Sequence, residues 1–218
     1  MSQLNDLEFA SNHESTCSCI LLLDTSASMS GAPIEALNEG LRTFQVDIQQ
    51  DANARNRVEV AIVSFGNGGV RTAQPFVNVA HFEAPTLSAG GNTPMGAAIN
   101  QALDMLRQRK TLFQENGVPY YRPWLFLITD GAPTDIWQTA AERLHSEEQA
   151  DGLAFFAVGV GNADMNILAQ IALRPPLKLE GLKFNELFLW LSDSQKRVSA
   201  SQLGERVPLS TPKGWTSV

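Results

Sequence analysis

Cysteine and histidine are scarce in this chain, with two of the first and three of the second among 218 residues. Cys17 and Cys19 stand two apart at the start of an apolar segment. In a strand such neighbours lie roughly 6.6–6.8 Å apart, the edge of what a disulfide tolerates, so two reduced thiols packed in or near the core are expected. A sulfur-based metal clip would need more Cys or His at ligand spacing, and none is near. His13, His81 and His145 are scattered and read as structural or solvated. Positive charge is also short: 16 Lys and Arg against 23 Asp and Glu leave a net charge of −7. A general phosphate-backbone binder needs a basic surface, so no nucleic-acid partner is expected. No apolar run approaches the ~20 residues of a membrane span. Met1 to Glu8 show no basic start followed by an apolar stretch. The expectation is a soluble, cytoplasmic protein with no membrane association.

What is present suits one α/β unit. Hydrophobic residues make up 44% and charged residues 18%, the proportions of a globular protein with enough length for a substantial core. Cys19–Leu23, ending at Asp24, is a compact apolar run of the kind buried on both faces of a sheet. Pro33 suits a first helical turn, and Ile34, Leu37, Leu41, Phe44 and Ile48 follow at helical spacing. Val58–Phe65 reads as a second strand. The Gly66-Asn67-Gly68-Gly69 turn then predicts a hairpin partner over Val70–Val79. A glycine-rich loop over 90–96 precedes a helix bearing Ile99, Leu103 and Leu106. Trp124–Thr129 is another buried strand, ending at Asp130. Trp137, Ala141 and Leu144 line a helix, and Leu153–Val160 makes a further strand. A short helix around Ile167–Ile171 ends before Arg174-Pro175-Pro176. Leu177–Leu179 is a candidate edge strand, and Phe184–Gln202 a last helix. The tail from Gly204 reads as irregular. Alternating strands and helices predict an α/β fold: a doubly wound, Rossmann-like, mostly parallel central sheet flanked by helices, with one antiparallel edge hairpin. Residues 1–218 read as a single domain, with a core over about 17–175 and a C-terminal helix and tail over 176–218.

Open sheets of this type bind ligands at the carboxyl ends of their strands. Asp24, Thr93 and Asp130 all fall in or beside loops at that end. Asp24, Ser26 and Ser28 alternate along one short loop, so their side chains can converge. With Thr93 and Asp130 they form a set of three hydroxyls and two carboxylates. Such hard oxygens suit Mg²⁺ or Mn²⁺ and fit zinc or copper poorly. Asp24-x-Ser26-x-Ser28 alone is a weak pattern, since Asp and Ser are common in turns and caps. The glycine-rich loop and the strand ending in Thr129-Asp130-Gly131 give it weight.

These residues resemble the metal-ion-dependent adhesion site of von Willebrand factor A domains. The resemblance covers about residues 17–175, and all five motif positions hold the residue types used there. It implies hydroxyl ligation by Ser26, Ser28 and Thr93, with Asp24 and Asp130 acting directly or through water. It further implies Mg²⁺, or Mn²⁺ or Ca²⁺, and a partner protein that supplies an Asp or Glu carboxylate. The stretch Arg174-Pro175-Pro176, the segment Phe184–Ser192 and the closing Pro212-Lys213-Gly214-Trp215 are similar to bacterial TerY-type proteins. That likeness implies a tellurite-resistance or stress-response setting, with a protein kinase or phosphatase as partner.

Enzymatic alternatives find less support. Leu23-Asp24 resembles the nucleophile of haloacid dehalogenase-type phosphatases, which would make the chain a metal-dependent hydrolase using Asp24. Those enzymes need an acidic residue two positions on, where Ser26 stands, and a serine hydroxyl is a poor acid. No Gly-x-Ser-x-Gly elbow and no Gly-x-x-x-x-Gly-Lys loop is present. Gly159-Val160-Gly161 lacks the third glycine and first-strand position of a dinucleotide fingerprint. A binding module, not an enzyme, is expected. Trp124 and Trp137 are read as packing aromatics, Trp190 and Trp215 as packing aromatics with a partner surface as the alternative, Glu147-Glu148 as a solvated helix face, and Arg107, Arg109 and Lys110 as a basic cluster favouring a helix end.

Overall fold

The computed structural model describes residues 14–205 and residue 207. Six strands form one sheet: β1 (Cys17–Thr25), β2 (Val58–Gly66), β3 (Gly69–Asn78), β4 (Trp124–Thr129), β5 (Ala154–Val160) and β6 (Leu177–Leu179). Their order is β3-β2-β1-β4-β5-β6. All pairings are parallel except β2 with β3, the expected hairpin. The helices are α1 (Ala32–Ile48), α2 (Ala52–Arg57), α3 (Met95–Glu115), α4 (Gln138–Gln149), α5 (Met165–Ile171) and α6 (Phe184–Ala200).

The period-two geometry of a strand sorts the core into two layers. Cys17, Cys19, Leu21 and Leu23 of β1 face one way, with Val58, Val60 and Ile62 of β2 and Phe126 and Ile128 of β4. Over them pack Leu37, Leu41 and Phe44 of α1 and Phe184, Leu187, Phe188 and Leu191 of α6. Ile20 and Leu22 face the other way, beside Val63, Phe65, Leu125 and Leu127, under Ile99, Leu103 and Leu144 of α3 and α4. Both sheet faces are covered, which is why Cys19–Leu23, Val60–Val63 and Trp124–Ile128 read as continuous apolar runs. Each fully buried Leu or Phe contributes about 1.5–3 kcal/mol. Phe44 meets both Phe82 and Phe188 at ring-centroid distances of 6.0 Å, closing α1 onto α6.

The expected aromatics find their places. Trp124 is buried, and Trp190, partly buried, lies edge-on to Phe126 and Phe156 against that core. Trp137 is partly buried against the opposite layer. Trp215, His13 and the closing Pro212–Trp215 motif lie outside the described residues. Cys17 and Cys19 are both buried, and burial pushes the Cys17 thiol up to about 12, with the charge of Glu59 adding to it.

Two expectations about charged residues are corrected. Glu148 is not solvated. It is buried, accepts from Phe155 N–H at 3.1 Å and pairs with Arg174. Arg109 does not serve a helix end. It is buried against Glu59, with its guanidinium 5.4 and 5.1 Å from the ring centroids of Phe76 and Phe113.

The winding reverses between β1 and β4. From β1 the chain moves outward to β2 and β3, then returns to the other side of β1 for β4, β5 and β6. The carboxyl ends of β1 and β4 therefore flank a crevice at the topological switch point, where such sheets bind ligands.

Candidate metal centre

Asp24 and Asp130 stand at the two lips of that crevice. Asp24 is the next-to-last residue of β1 and is 0% exposed. Its Oδ1 accepts from Ser26 N–H at 2.8 Å. Its Oδ2 accepts from the Thr129 hydroxyl at 2.5 Å. Burial pushes the Asp24 carboxyl above its ordinary value, and the negative charge of Asp130 adds to this, against the hydrogen bonds from Ser26 and Thr129. A buried carboxylate, Asp24, thus feels the charge of a second, part-exposed one, Asp130, an arrangement that favours a cation.

The hydroxyls join them. After Thr25 the chain makes a single 3-10 turn over Ala27–Met29, held by Met29 N–H on Ser26 O at 3.1 Å and by the buried Met29 side chain. This turn brings the Ser26 and Ser28 Oγ atoms to 3.0 Å of one another. Ser28 Oγ donates to Asp130 Oδ1 at 2.7 Å. A hydrogen-bonded chain Ser26–Ser28–Asp130 therefore spans the crevice.

Thr93 arrives from a third loop. Ala27 N–H donates to Gly91 O at 3.1 Å, and Gly90 N–H donates to Thr25 O at 2.8 Å, fixing the glycine-rich loop against the first. Thr93 itself is clasped by Thr134: its N–H donates to Thr134 Oγ1 at 3.0 Å, and Thr134 N–H donates to Thr93 O at 2.9 Å. A methyl group built at Gly131 would stand 3.8 Å from both Ser28 Oγ and Thr93 Oγ1. Those hydroxyls flank one point beside the Asp130–Gly131 turn. Gly66 makes the packing possible, since a Cβ there would come within 2.2 Å of the Thr25 backbone.

All five residues singled out from sequence thus lie at the same crevice. Among the described residues no three Asp, Glu, His or Cys side chains come together as a metal-holding cluster. The acidic contribution stops at two carboxylates, and hydroxyls must complete any oxygen set. Residues 24–33, 88–97 and 130–139 contain no Lys or Arg that would neutralise the pair internally. The donor chemistry therefore fits a hard divalent cation such as Mg²⁺ or Mn²⁺. It fits the phosphatase alternative poorly: a carboxylate without exposure, held at both oxygens, is not presented for attack on a substrate.

Three supporting residues stand outside the five-residue set: Thr129, Thr134 and Asp135. Thr129 is fully buried and orients Asp24, and its own Oγ1 also accepts from Gly131 N–H at 3.2 Å. Thr134 holds Thr93. Asp135 accepts from Gly96 N–H at 2.9 Å and Ala97 N–H at 2.8 Å, satisfying the first turn of α3. Strand parity carried a signal for Thr129: Leu23 pairs with Ile128, so the next residues, Asp24 and Thr129, fall side by side on one face.

A family model for the von Willebrand factor type A domain matches residues 19–186. Among solved structures, the chain is similar to the open conformation of the pilus adhesin SpaC from Lactobacillus rhamnosus GG, at 16% identity and a TM-score of 0.68, over 86% of this chain and 31% of that one. It is similar to proximal thread matrix protein 1 from the mussel byssus, at 18% identity and a TM-score of 0.57, over 86% and 49% of the two chains. The manganese-loaded TRAP protein of Plasmodium vivax matches at 17% identity and a TM-score of 0.52, over 80% and 74%. Such identities speak to fold. The chain spans under half the length of the first two of these proteins.

Proposed function

This chain belongs to the von Willebrand factor type A domain family, and from that premise we propose that it is a metal-dependent protein-binding module and not an enzyme. Asp24, Ser26, Ser28, Thr93 and Asp130 would hold a divalent cation, Mg²⁺ or Mn²⁺ and, less suited to so small an oxygen set, Ca²⁺. When bound, the cation supplies positive charge and an open coordination position for an Asp or Glu side chain of a partner protein. The observation that carries the reading is the Ser26–Ser28–Asp130 hydrogen-bond chain, with Thr93 Oγ1 beside it, at the switch point of the sheet.

The chain's own contribution is preorganisation. Three loops are fixed to one another by backbone hydrogen bonds at Thr25, Ala27 and Thr93, so little ordering remains when a ligand arrives. Asp24 and Asp130 keep the hydroxyls aimed inward, while three neutral oxygens leave much of a cation's charge for the partner. Residues 1–218 would form one domain, with α6 burying Phe184, Leu187 and Phe188 in the same layer as α1. The TerY-type likeness of Arg174–Pro176 and Phe184–Ser192 supports a cytoplasmic tellurite or stress-response role beside a protein kinase or phosphatase. Among the described residues no helix is long and apolar enough to cross a membrane.

Thermal melting tests the cation. Millimolar Mg²⁺ or Mn²⁺ should raise the melting temperature over that in EDTA, since a ligand at 100 times its dissociation constant stabilises by about 2.7 kcal/mol. Ser26→Ala with Asp130→Ala should abolish the shift. A wild-type chain indifferent to both ions would overturn the reading.

A further inference from the structure

Single exposed apolar side chains are ordinary on protein surfaces, but Ile136 is not placed ordinarily. It is 78% exposed, against 59% for Val46, the next most exposed large apolar residue among those described. It lies in the 131–137 loop, which begins at the crevice with Gly131 and is clasped to Thr93 through Thr134. Its position is fixed from both sides. Asp135 is bonded to the first turn of α3 by two hydrogen bonds. A Cβ at Gly96 would come within 2.4 Å of the Ile136 carbonyl oxygen, so that carbonyl rests directly on the helix. Trp137 packs into the core behind it. The fold thus holds one isoleucine outward beside the candidate metal centre.

The charge around it narrows the ligand. Residues 88–97 and 130–139 offer no Lys or Arg, and Asp135 turns inward onto α3. The Arg71 guanidinium lies over Gly68, in the β2–β3 turn. A second acidic group from a partner would find no cation within residues 88–97 or 130–139. We propose that Ile136 is the apolar half of the binding face: the partner segment carries an acidic residue with an aliphatic or aromatic side chain within a few residues, and that side chain covers Ile136. This rests on the metal-binding reading above and adds the partner's chemistry to it. A side chain already held in place can be covered with little further ordering, which favours association.

The probe is an immobilised array of short peptides, each with one central Glu and with flanking positions varied through all residue types, exposed to the full chain in magnesium or in EDTA. The expected result is magnesium-dependent binding enriched in Leu, Ile, Met, Phe or Trp beside the Glu. I136S should weaken those peptides about tenfold while leaving Glu-only peptides unchanged. Its melting temperature and magnesium shift should match wild type, because so exposed a side chain leaves no cavity. Magnesium-dependent binding without an apolar preference, with a preference for runs of acidic residues, or unchanged in I136S overturns the role of Ile136 and leaves the metal site standing. No magnesium-dependent binding to any peptide overturns both.

Discussion

Thr129 donates its hydroxyl hydrogen to Asp24 Oδ2 at 2.5 Å across 105 positions of sequence, joining the ends of β4 and β1 from below the crevice. The bond does not touch the open side of the site, yet it decides where the Asp24 carboxylate sits. Partners of this kind typically change metal affinity by about 10–100-fold when removed. Thr129→Val keeps the shape and deletes the donor. It should reduce magnesium affinity, read by calorimetry, by about tenfold or more, while Thr129→Ser restores most of it. A valine variant with wild-type affinity would show that Asp24 is positioned by Ser26 alone.

Glu59 and Arg109 form a second buried pair, far from the crevice in its chemistry. Arg109 Nε donates to both carboxylate oxygens of Glu59, at 2.9 and 3.0 Å, and Ser18 Oγ donates to the same group at 2.6 Å. Removing one partner leaves a buried charge without compensation, which costs about 3–5 kcal/mol. Arg109→Met should therefore lower the urea midpoint sharply. Arg109→Met combined with Glu59→Leu should recover much of the loss, and the magnesium-induced shift should survive in both. Equal loss in single and double variants would mean that cation packing between Phe76 and Phe113, not the ion pair, supports this region.

Much of this fold was legible because the sheet is covered twice. A strand such as Cys19–Leu23 or Trp124–Ile128 is apolar at every position, and its shortness and the polar residues that bound it set it apart from a buried helix. The hairpin followed from Gly66-Asn67-Gly68-Gly69. The helix α2 went unseen because Ala-Asn-Ala-Arg-Asn-Arg has no apolar period; Asp51, whose side chain accepts from Ala54 N–H at 2.8 Å, is its local signal. Glu148 was misread for a different reason. It lies four residues after Leu144 and hence on the buried stripe of α4, but its partner Arg174 comes from another segment. The spacing from Leu144 carried the position but was passed over, and only the tertiary structure supplies the charge that makes it tolerable. At the site, residue types and strand ends pointed to Asp24, Ser26, Ser28, Thr93 and Asp130. Thr129 stood in the motif segment but was given no role, because threonine is an ordinary strand former and its register beside Asp24 comes only from the pairing of β1 with β4.

Asp47 and Lys196 pin α1 to α6 with a 2.6 Å ion pair. Burial pushes the Asp47 carboxyl up, but the hydrogen bond and charge of Lys196, with a further contribution from Ser192, outweigh it and hold the group below its ordinary value of 3.8. A carboxyl lowered in the folded state stabilises the fold above its unfolded value and loses that contribution as pH falls through the folded value. The difference in urea midpoint between wild type and Lys196→Met should thus be constant from about pH 5 to 7 and shrink below 3.8. The pair is partly exposed, so the difference should be modest and should fall with added salt. A difference that persists unchanged into acid would assign the effect to the packing of the lysine stem.

Gly96 and Gly40 offer a matched comparison of the two layers. A Cβ at Gly96 would meet the Ile136 carbonyl oxygen at 2.4 Å, while one at Gly40 would meet the Phe188 ring at 2.6 Å. Both substitutions to alanine overpack a helix contact, for which about 1–3 kcal/mol of destabilisation is typical. Their consequences for the crevice should differ. At Gly96 the obstacle is backbone, so the 131–137 loop must move, and Thr134, which clasps Thr93, moves with it. Gly96→Ala should therefore diminish the magnesium-induced melting shift as well as the melting temperature itself. At Gly40 the strain falls on α1 and α6, remote from Thr93 and Asp130, so Gly40→Ala should lower the melting temperature and leave the magnesium shift intact. Equal magnesium shifts in the two variants would mean that Thr93 does not depend on the Thr134 clasp for its place.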